Sequence, residues 1–150
     1  MPSLVDTNVW FAILRERHEH HPSAWNWWGS CQPGEAVWCR VAQLGVLRLL
    51  TNPVVMGDEL LEPEAAWSIW HRLAHDERCS FLAAEPAGVD TLVRACVSGR
   101  NPTPKLWADA YLAALAESAG LGMTTFDQGF RCFPILTRLN LLSPPKKKEN

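Results

Sequence analysis

The chain has 150 residues, of which 47% are apolar and 20% are charged, and its formal net charge is −2. This length and composition predict one folded domain with a sizeable core rather than two domains. The near-neutral charge neither indicates nor excludes nucleic-acid binding, because a local basic stripe can be offset elsewhere.

The predicted elements alternate between strands and helices. Residues 2–5 form a short buried strand, and Thr7 or Asn8 is the expected cap of a helix over 8–16. The further elements expected, in chain order, are a helix over 22–31, a strand over 35–38, helices over 40–51 and 63–75, a strand over 80–83, helices over 87–98 and 104–119, a strand over 121–126 and a final edge element within 134–142.

The longest predicted helix has clear end signals. Thr103 is the expected cap, Pro104 suits the first helical position, and Gly120 ends the helix. Strands that alternate with helices predict a parallel sheet in a three-layer α/β fold, here over residues 1–142. The last residues, 143–150, are expected to form a disordered basic tail, with nucleic-acid contact as the alternative.

Cysteine usage and hydropathy indicate a cytoplasmic protein. The five cysteines, an odd number without CxxC spacing, favour reduced thiols over a disulfide framework or a zinc site. The N-terminus has no basic flank and reaches Asp6 almost at once, so no signal peptide is expected. No apolar run approaches the roughly 20 residues of a membrane span.

Three aspartates are expected at one edge of the sheet. Asp6 and Asp127 end apolar strands, and Asp109 lies near the start of the helix that precedes the second of these strands. That helix travels about 15 Å at ~1.5 Å per residue, and the strand returns about 17 Å at ~3.3 Å per residue. The lengths nearly cancel, so all three carboxylates should meet at the carboxyl edge of the sheet, where open α/β sheets bind ligands.

Such a cluster indicates a metal site. Converging carboxylates repel one another and resist desolvation, so a divalent cation is the expected neutralising group. Ligation by carboxylates alone favours Mg²⁺ or Mn²⁺ over zinc and suggests metal-assisted phosphoryl chemistry. The alternative is that each aspartate only caps a helix or a turn.

Four blocks of sequence, in this order and at these separations, resemble the PIN-domain superfamily, and within it the VapC toxins. The blocks are LVDTNVW, RVAQLGVLRLLTNP, LWADAYLAALA and TTFDQGF. The resemblance implies a PIN-like α/β/α fold with a central, mainly parallel sheet and a ribonuclease that uses Mg²⁺, with Mn²⁺ possible. It also implies a homodimer and a VapB-type antitoxin that fills a groove and reaches into the active site.

The resemblance assigns roles to individual residues. Asp6 and Asp109 would be the principal metal ligands, and Asp127 would complete the set, directly or through water. Asn8 and Thr125 would orient these ligands; the alternatives are a helix cap for Asn8 and an ordinary β-branched strand residue for Thr125. The expected reaction is hydrolysis by a metal-activated water, and the family pattern implies 5′-phosphate and 3′-hydroxyl ends.

One position departs from the family pattern. Many members have a glutamate early in the helix after the second strand, where this chain has Gln43, and residues 39–52 contain no Asp or Glu. We therefore expect one metal ion in the free protein and a second that arrives mainly with the substrate's phosphate. Gln43 stays in the predicted catalytic set because its amide oxygen can accept from a metal-bound water.

Arginines are the candidates for RNA contact. Arg40 is the first of them, since it lies within one helical turn of Gln43. For every candidate arginine, the alternative is an exposed surface position without a role in RNA binding. The further candidates are Arg15, Arg17, Arg48 and Arg131.

Histidines and tryptophans carry weaker signals. His18, His20 and His21 are expected in a surface turn, with zinc or RNA contact as alternatives. For the tryptophans, helical spacing favours core packing, with an antitoxin groove and base stacking as alternatives, and Trp107 is expected beneath the cleft. The spaced pairs are Trp25 with Trp28 and Trp67 with Trp70.

Three rival functions are open at this point. A processing nuclease of the same fold would lack the toxin role, and a non-catalytic PIN module would only bind protein. Retention of all three aspartates argues against the second of these. A haloacid-dehalogenase-like phosphatase would need an aspartate two residues after Asp6, where the chain has Asn8.

Overall fold

The computed structural model describes residues 1–144 and contains a five-stranded parallel sheet between helices. The tail predicted over 143–150 lies almost wholly outside these residues. Strand order is β3–β2–β1–β4–β5, with β1 (Ser3–Val5), β2 (Ala36–Cys39), β3 (Cys79–Leu82), β4 (Gly122–Thr125) and β5 (Leu139–Leu141). The helices are α1 (Thr7–Leu14), α2 (His21–Ser30), α3 (Arg40–Leu50), α4 (Pro53–Met56), α5 (Pro63–Ala74), α6 (Val89–Val97) and α7 (Leu106–Ser118), with 3-10 segments at Gly57–Glu59 and Gln128–Cys132.

The predicted three-layer α/β fold is confirmed, and every strand pair is parallel. From β1 the chain moves to β2 and β3 on one side, then crosses to the other side for β4 and β5. Right-handed crossovers place the two sets of connections on opposite faces. Accordingly α1, α2, α3 and α5 pack together, and α6 packs against α7. The change of direction lies between β1 and β4, and sheets of this kind bind ligands beyond the carboxyl ends of such strands.

The first helix is capped by the aspartate that ends β1. Asp6 Oδ1 accepts a hydrogen bond from the backbone N of Thr7 at 2.8 Å, so the predicted caps Thr7 and Asn8 lie inside the helix instead. Aspartate is itself a favoured cap, because its oxygen satisfies an otherwise unpaired helical N–H group.

The last helix begins later than predicted. Residues 103–105 form a turn in which the backbone oxygen of Thr103 accepts from the backbone N of Leu106. Pro104 therefore lies in this turn, and Lys105 is the residue immediately before α7. This start places the Lys105 side chain beside the carboxyl edge of the sheet.

A short helix after α3 was not predicted, although its signal is in the sequence. Asn52 Oδ1 accepts from the backbone N of Val54 at 2.9 Å, and Pro53 occupies the first position of α4. An asparagine followed by proline favours a helix start as much as a helix end.

The core contains a cluster of aromatic residues between the sheet and α1, α2 and α5. The rings of Trp10 and Trp38 stack with centroids 3.8 Å apart at an angle of 4°, and Trp28 packs edge-on against Trp10. Four alanines of α7 are fully buried, and their small side chains allow this helix to pack closely against neighbouring elements. They are Ala110, Ala113, Ala114 and Ala116.

All five cysteines are free thiols, and no helix within residues 1–144 is long and apolar enough to cross a membrane.

Close packing of α1 on α3 depends on Gly45. A Cβ atom at this position would lie 2.7 Å from Thr7 Oγ1 and 2.9 Å from Thr7 Cγ2. Thr7 follows Asp6 directly, so this contact also sets where the end of β1 stands relative to α3.

Gly45→Ala is expected to lower the free energy of unfolding by up to about 2 kcal/mol, since overpacking costs ~1–3 kcal/mol and alanine returns only about 1 kcal/mol of helix propensity. Gly29→Ala is the matched control, because the space around Gly29 in α2 is open within 4 Å. The control should be neutral or slightly stabilising. Thermal unfolding of both variants checks this, and equal melting temperatures would contradict the close approach.

Candidate active site

Asp6, at the carboxyl end of β1, is the most buried of the three aspartates, with 8% of its surface exposed. Its Oδ2 accepts from Thr125 Oγ1 at 2.7 Å, and its Oδ1 caps α1 through the backbone N of Thr7. Burial raises the pKa of Asp6 above its ordinary value, although both hydrogen bonds act in the opposite direction. The carboxylate is thus held in one orientation, in surroundings that favour a neutralising cation.

Thr125, at the end of β4, is the hydrogen-bonding partner shared by the site. Its buried Oγ1 donates to Asp6, accepts from the backbone N of Asp127 at 2.9 Å, and accepts a longer bond from Asn8 Nδ2 at 3.4 Å. Asn8 Oδ1 accepts in turn from the backbone N of Phe126 at 3.4 Å. Asn8 and Thr125 therefore lie where residues that orient the aspartates would have to lie.

Asp127 is paired with a lysine that the sequence did not single out. Its Oδ1 accepts from the backbone N of Gly129 at 2.8 Å, and its Oδ2 accepts from Lys105 Nζ at 3.0 Å. Burial alone would raise the pKa of Asp127, but these bonds and the lysine's charge outweigh it and hold the pKa below its ordinary value. A single lysine before a helix belongs to no motif, and only its position in space reveals the pair.

Asp109 lies in the first turn of α7 and faces the same cleft. Burial raises the pKa of Asp109 to about 6; Lys105 acts against this rise, and the charges of Asp6 and Asp127 add to it. Asp6, Asp109 and Lys105 line one cleft of about 590 Å³. The structure therefore brings Asp6 and Asp109 together and ties Asp127 to them through Thr125 and Lys105.

The donor set of this cleft suits a hard divalent cation. Three carboxylates supply the oxygen ligands that Mg²⁺ and Mn²⁺ prefer. Over residues 1–144, however, no three His, Cys, Asp or Glu side chains stand ready as ligands of one ion. Asp127 is instead held by Lys105 Nζ and by the backbone N of Gly129.

Gln43 is buried and is not among the residues that line the cleft, and its predicted part in catalysis stays a prediction. Gln43 is 1% exposed, its Oε1 accepts from Arg40 Nη1 at 2.5 Å, and the guanidinium of Arg40 lies 5.0 Å from the centre of the Phe81 ring. Positions two apart on a helix point about 200° apart, and it is the face of α3 around Gly45 that meets the cleft. The residues of α3 that line it are Val41, Gly45, Arg48 and Leu49.

Among the other arginines, Arg48 is the one that lines the cleft, and its side chain is exposed. Arg15 and Arg17 both pair with Glu59, at 3.0 and 3.1 Å, on another part of the surface. Arg131 lies in the 3-10 segment after β4. Arg48 is therefore a stronger candidate for a phosphate contact than Arg40, whose RNA contact stays a prediction.

The histidine group lies in and beside the turn between α1 and α2, as predicted. His20 stacks on Phe126 with ring centres 4.7 Å apart, and His21 Nδ1 lies 2.6 Å from the carbonyl oxygen of Ala12. His18 packs edge-on against Phe11. These contacts fix the turn against α1 and against the segment that follows β4.

Each pair of tryptophans is divided between core and surface. Trp28 and Trp70 are buried, whereas Trp25 and Trp67 are 55% and 47% exposed. Trp107 is 63% exposed, so the prediction that it packs beneath the cleft is wrong. The first turn of α7 directs Asp109 inward, and a residue two positions earlier points the other way.

A family model for the PIN domain matches residues 3–135, and the chain belongs to this family. The resemblance predicted from the four sequence blocks is thereby confirmed. The fold, the change of chain direction between β1 and β4 and the aspartates beyond those strands agree with it.

Within the family, the chain is similar to curated ribonucleases of the VapC class. It is 37% identical to Ribonuclease VapC41 of Mycobacterium tuberculosis over 131 residues, which cover 85% of this chain and 90% of the relative. A solved structure of VapBC2 from Rickettsia felis, bound to a DNA fragment from its promoter, has a similar fold with a TM-score of 0.66 at 11% identity, over 95% of this chain and 100% of that chain. VapC20 of Mycobacterium tuberculosis, described as a toxin that cleaves the Sarcin-Ricin loop, has a TM-score of 0.57 at 20% identity, over 85% of this chain and 92% of that chain.

Proposed function

We propose that this protein is a metal-dependent ribonuclease, the VapC-type toxin of a toxin–antitoxin pair. The observation that carries the proposal is the cleft at the change of chain direction, where Asp6 and Asp109 converge and Asp127 is tied to them. Ribonuclease activity accords with 37% identity to a VapC ribonuclease over most of both chains.

Asp6, Asp109 and Asp127 are the residues that would hold Mg²⁺ or Mn²⁺. The ion would polarise the scissile phosphate and activate water for in-line attack on phosphorus. The Thr125 hydroxyl donates a hydrogen bond to the Asp6 carboxylate and accepts one from the backbone N of Asp127. One hydroxyl therefore aligns two of the three carboxylates. Arg48, exposed on the rim of the cleft, is placed to bind a neighbouring phosphate of the RNA.

The partner of the protein is a VapB-type antitoxin, and the working assembly is a hetero-oligomer. The fold is shared with the VapBC2 complex and with FitAB bound to a DNA fragment, which has a TM-score of 0.60 at 17% identity. The proposal also includes a homodimer of the toxin within this assembly. It places the protein in the cytoplasm, where RNA and antitoxin meet.

The test is to induce the wild type and Asp6→Asn in a bacterium and to sequence the RNA 5′ ends. Asparagine keeps an acceptor for the cap of α1 but removes the charge, so the variant should fold. Growth arrest and new 5′-phosphate ends are expected for the wild type alone. Equal arrest by both forms, or products ending in 2′,3′-cyclic phosphate, would refute the proposed chemistry.

A further inference from the structure

Lys105 contacts the aspartate cluster directly. Its Nζ donates to Asp127 Oδ2 at 3.0 Å, and it lines the same cleft as Asp6 and Asp109. The side chain of Lys105 is 72% exposed and that of Asp127 is 27% exposed. The ammonium group carries one positive charge, which this contact places beside the cluster.

The backbone of Lys105 is fixed by the start of α7. Its backbone oxygen accepts from the backbone N of Asp109 at 3.0 Å, so Lys105 caps the turn that carries Asp109. Asp127, the hydrogen-bonding partner of Lys105, follows β4 instead. Lys105 thus links α7, which carries Asp109, to the segment after β4, which begins with Asp127.

The charges of the cluster suggest what this link does. Three ionised carboxylates carry three negative charges, and Gln43 adds none because its amide is neutral. The cluster formed by these carboxylates and Lys105 keeps two negative charges, which one divalent ion neutralises. A second ion would bring two positive charges to a cluster that is already balanced.

We propose that Lys105 takes the place of a second metal ion, so that the cleft holds one divalent cation together with this ammonium group. The inference rests on the proposed function and deepens it. Lys105 is then a positioning residue: it holds Asp127 and supplies the positive charge that a second ion would otherwise supply.

Arg48 provides the matched comparison. It lines the same cleft and carries the same charge, yet over residues 1–144 its guanidinium donates no hydrogen bond to a carboxylate. General electrostatics would make removal of either cation strengthen metal binding. If Lys105 specifically takes the place of an ion, only the removal of Lys105 should strengthen metal binding.

The experiment titrates metal-free protein with Mn²⁺ by calorimetry, using the wild type, Lys105→Met, Lys105→Arg and Arg48→Met. One ion per chain is expected for the wild type, Lys105→Arg and Arg48→Met. Lys105→Met should bind two ions, the first about tenfold more tightly than in the wild type, because a nearby positive charge has been removed. Melting curves in EDTA confirm that each variant is folded.

Three results would overturn the inference: two ions in the wild type, unchanged stoichiometry and affinity in Lys105→Met, or equal gains in Lys105→Met and Arg48→Met. These results leave the proposed function standing as long as the wild type binds Mn²⁺ and cleaves RNA while Asp6→Asn does not. A wild type that binds no Mn²⁺ would remove both the inference and the metal-dependent function.

Discussion

Asp109→Asn is expected to slow RNA cleavage by roughly a thousandfold, since a bound ion supplies several kcal/mol of transition-state stabilisation. The same change should make the metal-free protein more stable. Burial and the neighbouring aspartates oppose ionisation of Asp109, whose pKa is raised to about 6. At pH 7 the folded protein holds an unfavourable negative charge that asparagine removes.

The expected gain in the free energy of unfolding is about 1–2 kcal/mol once screening by solvent is allowed for, or roughly 2–8 °C in melting temperature. The pKa of Asp109 is 3.8 in its ordinary state and about 6 in the fold. The folded state therefore binds more protons than the unfolded state between these values, and wild-type stability falls as pH rises through this window. The difference between variant and wild type should grow from pH 4 to pH 6 and then stay constant.

Thermal unfolding in EDTA across this pH range is the measurement. Asp90→Asn is the control, because Asp90 is an exposed carboxylate in the first turn of α6. There asparagine should be neutral or slightly destabilising, since a negative charge favours a helix start. Excess Mn²⁺ should raise the melting temperature of the wild type and leave Asp109→Asn almost unchanged. An equal gain in melting temperature for Asp109→Asn and Asp90→Asn in EDTA would argue against an unfavourable negative charge at position 109.

Thr125→Val is expected to weaken Mn²⁺ binding by about 10- to 100-fold, because residues that orient metal ligands typically contribute this much. Valine has nearly the same shape but leaves Asp6 Oδ2 without its hydrogen-bond donor and the backbone N of Asp127 without its acceptor. Two of the three carboxylates lose their alignment through this one change.

Thr124→Val is the matched control for this experiment. Thr124 is also fully buried in β4, but its hydroxyl lies on the other face of the sheet and pairs with Ser3 Oγ at 2.6 Å. Both variants should lose about 1 kcal/mol or somewhat more of stability, since each loses a buried hydrogen bond. Only Thr125→Val should lose Mn²⁺ affinity in calorimetry. Equal affinities for the two variants would show that the Thr125 hydroxyl has no part in the site.

Much of the candidate site could be predicted because its residues occupy the ends of elements. Asp6 and Asp127 follow buried strands, and parallel strands end at the same edge of a sheet. Asp109 is separated from Asp127 by a helix and a strand of nearly equal length. These relations depend on chain order and on the rise per residue, which are local properties of the sequence.

Residues on the helices were predicted less well, because their direction depends on how each helix is rotated about its axis. Gln43 is buried and does not line the cleft, and Trp107 is 63% exposed. The rotation of α3 is set by the close contact of Gly45 with Thr7, which lie far apart in sequence. Periodicity identified these helices, but it could not tell which face would meet the carboxylates.

The fold class, the family and the candidate aspartates could therefore be predicted, since all of these follow from motif order and element lengths. Packing in three dimensions was needed to show that Lys105 pairs with Asp127, that Thr125 links two aspartates, and that Arg48 rather than Gln43 lines the cleft. Each of these contacts joins residues from different elements. Their geometry arises from packing between those elements, which no local pattern in the chain specifies.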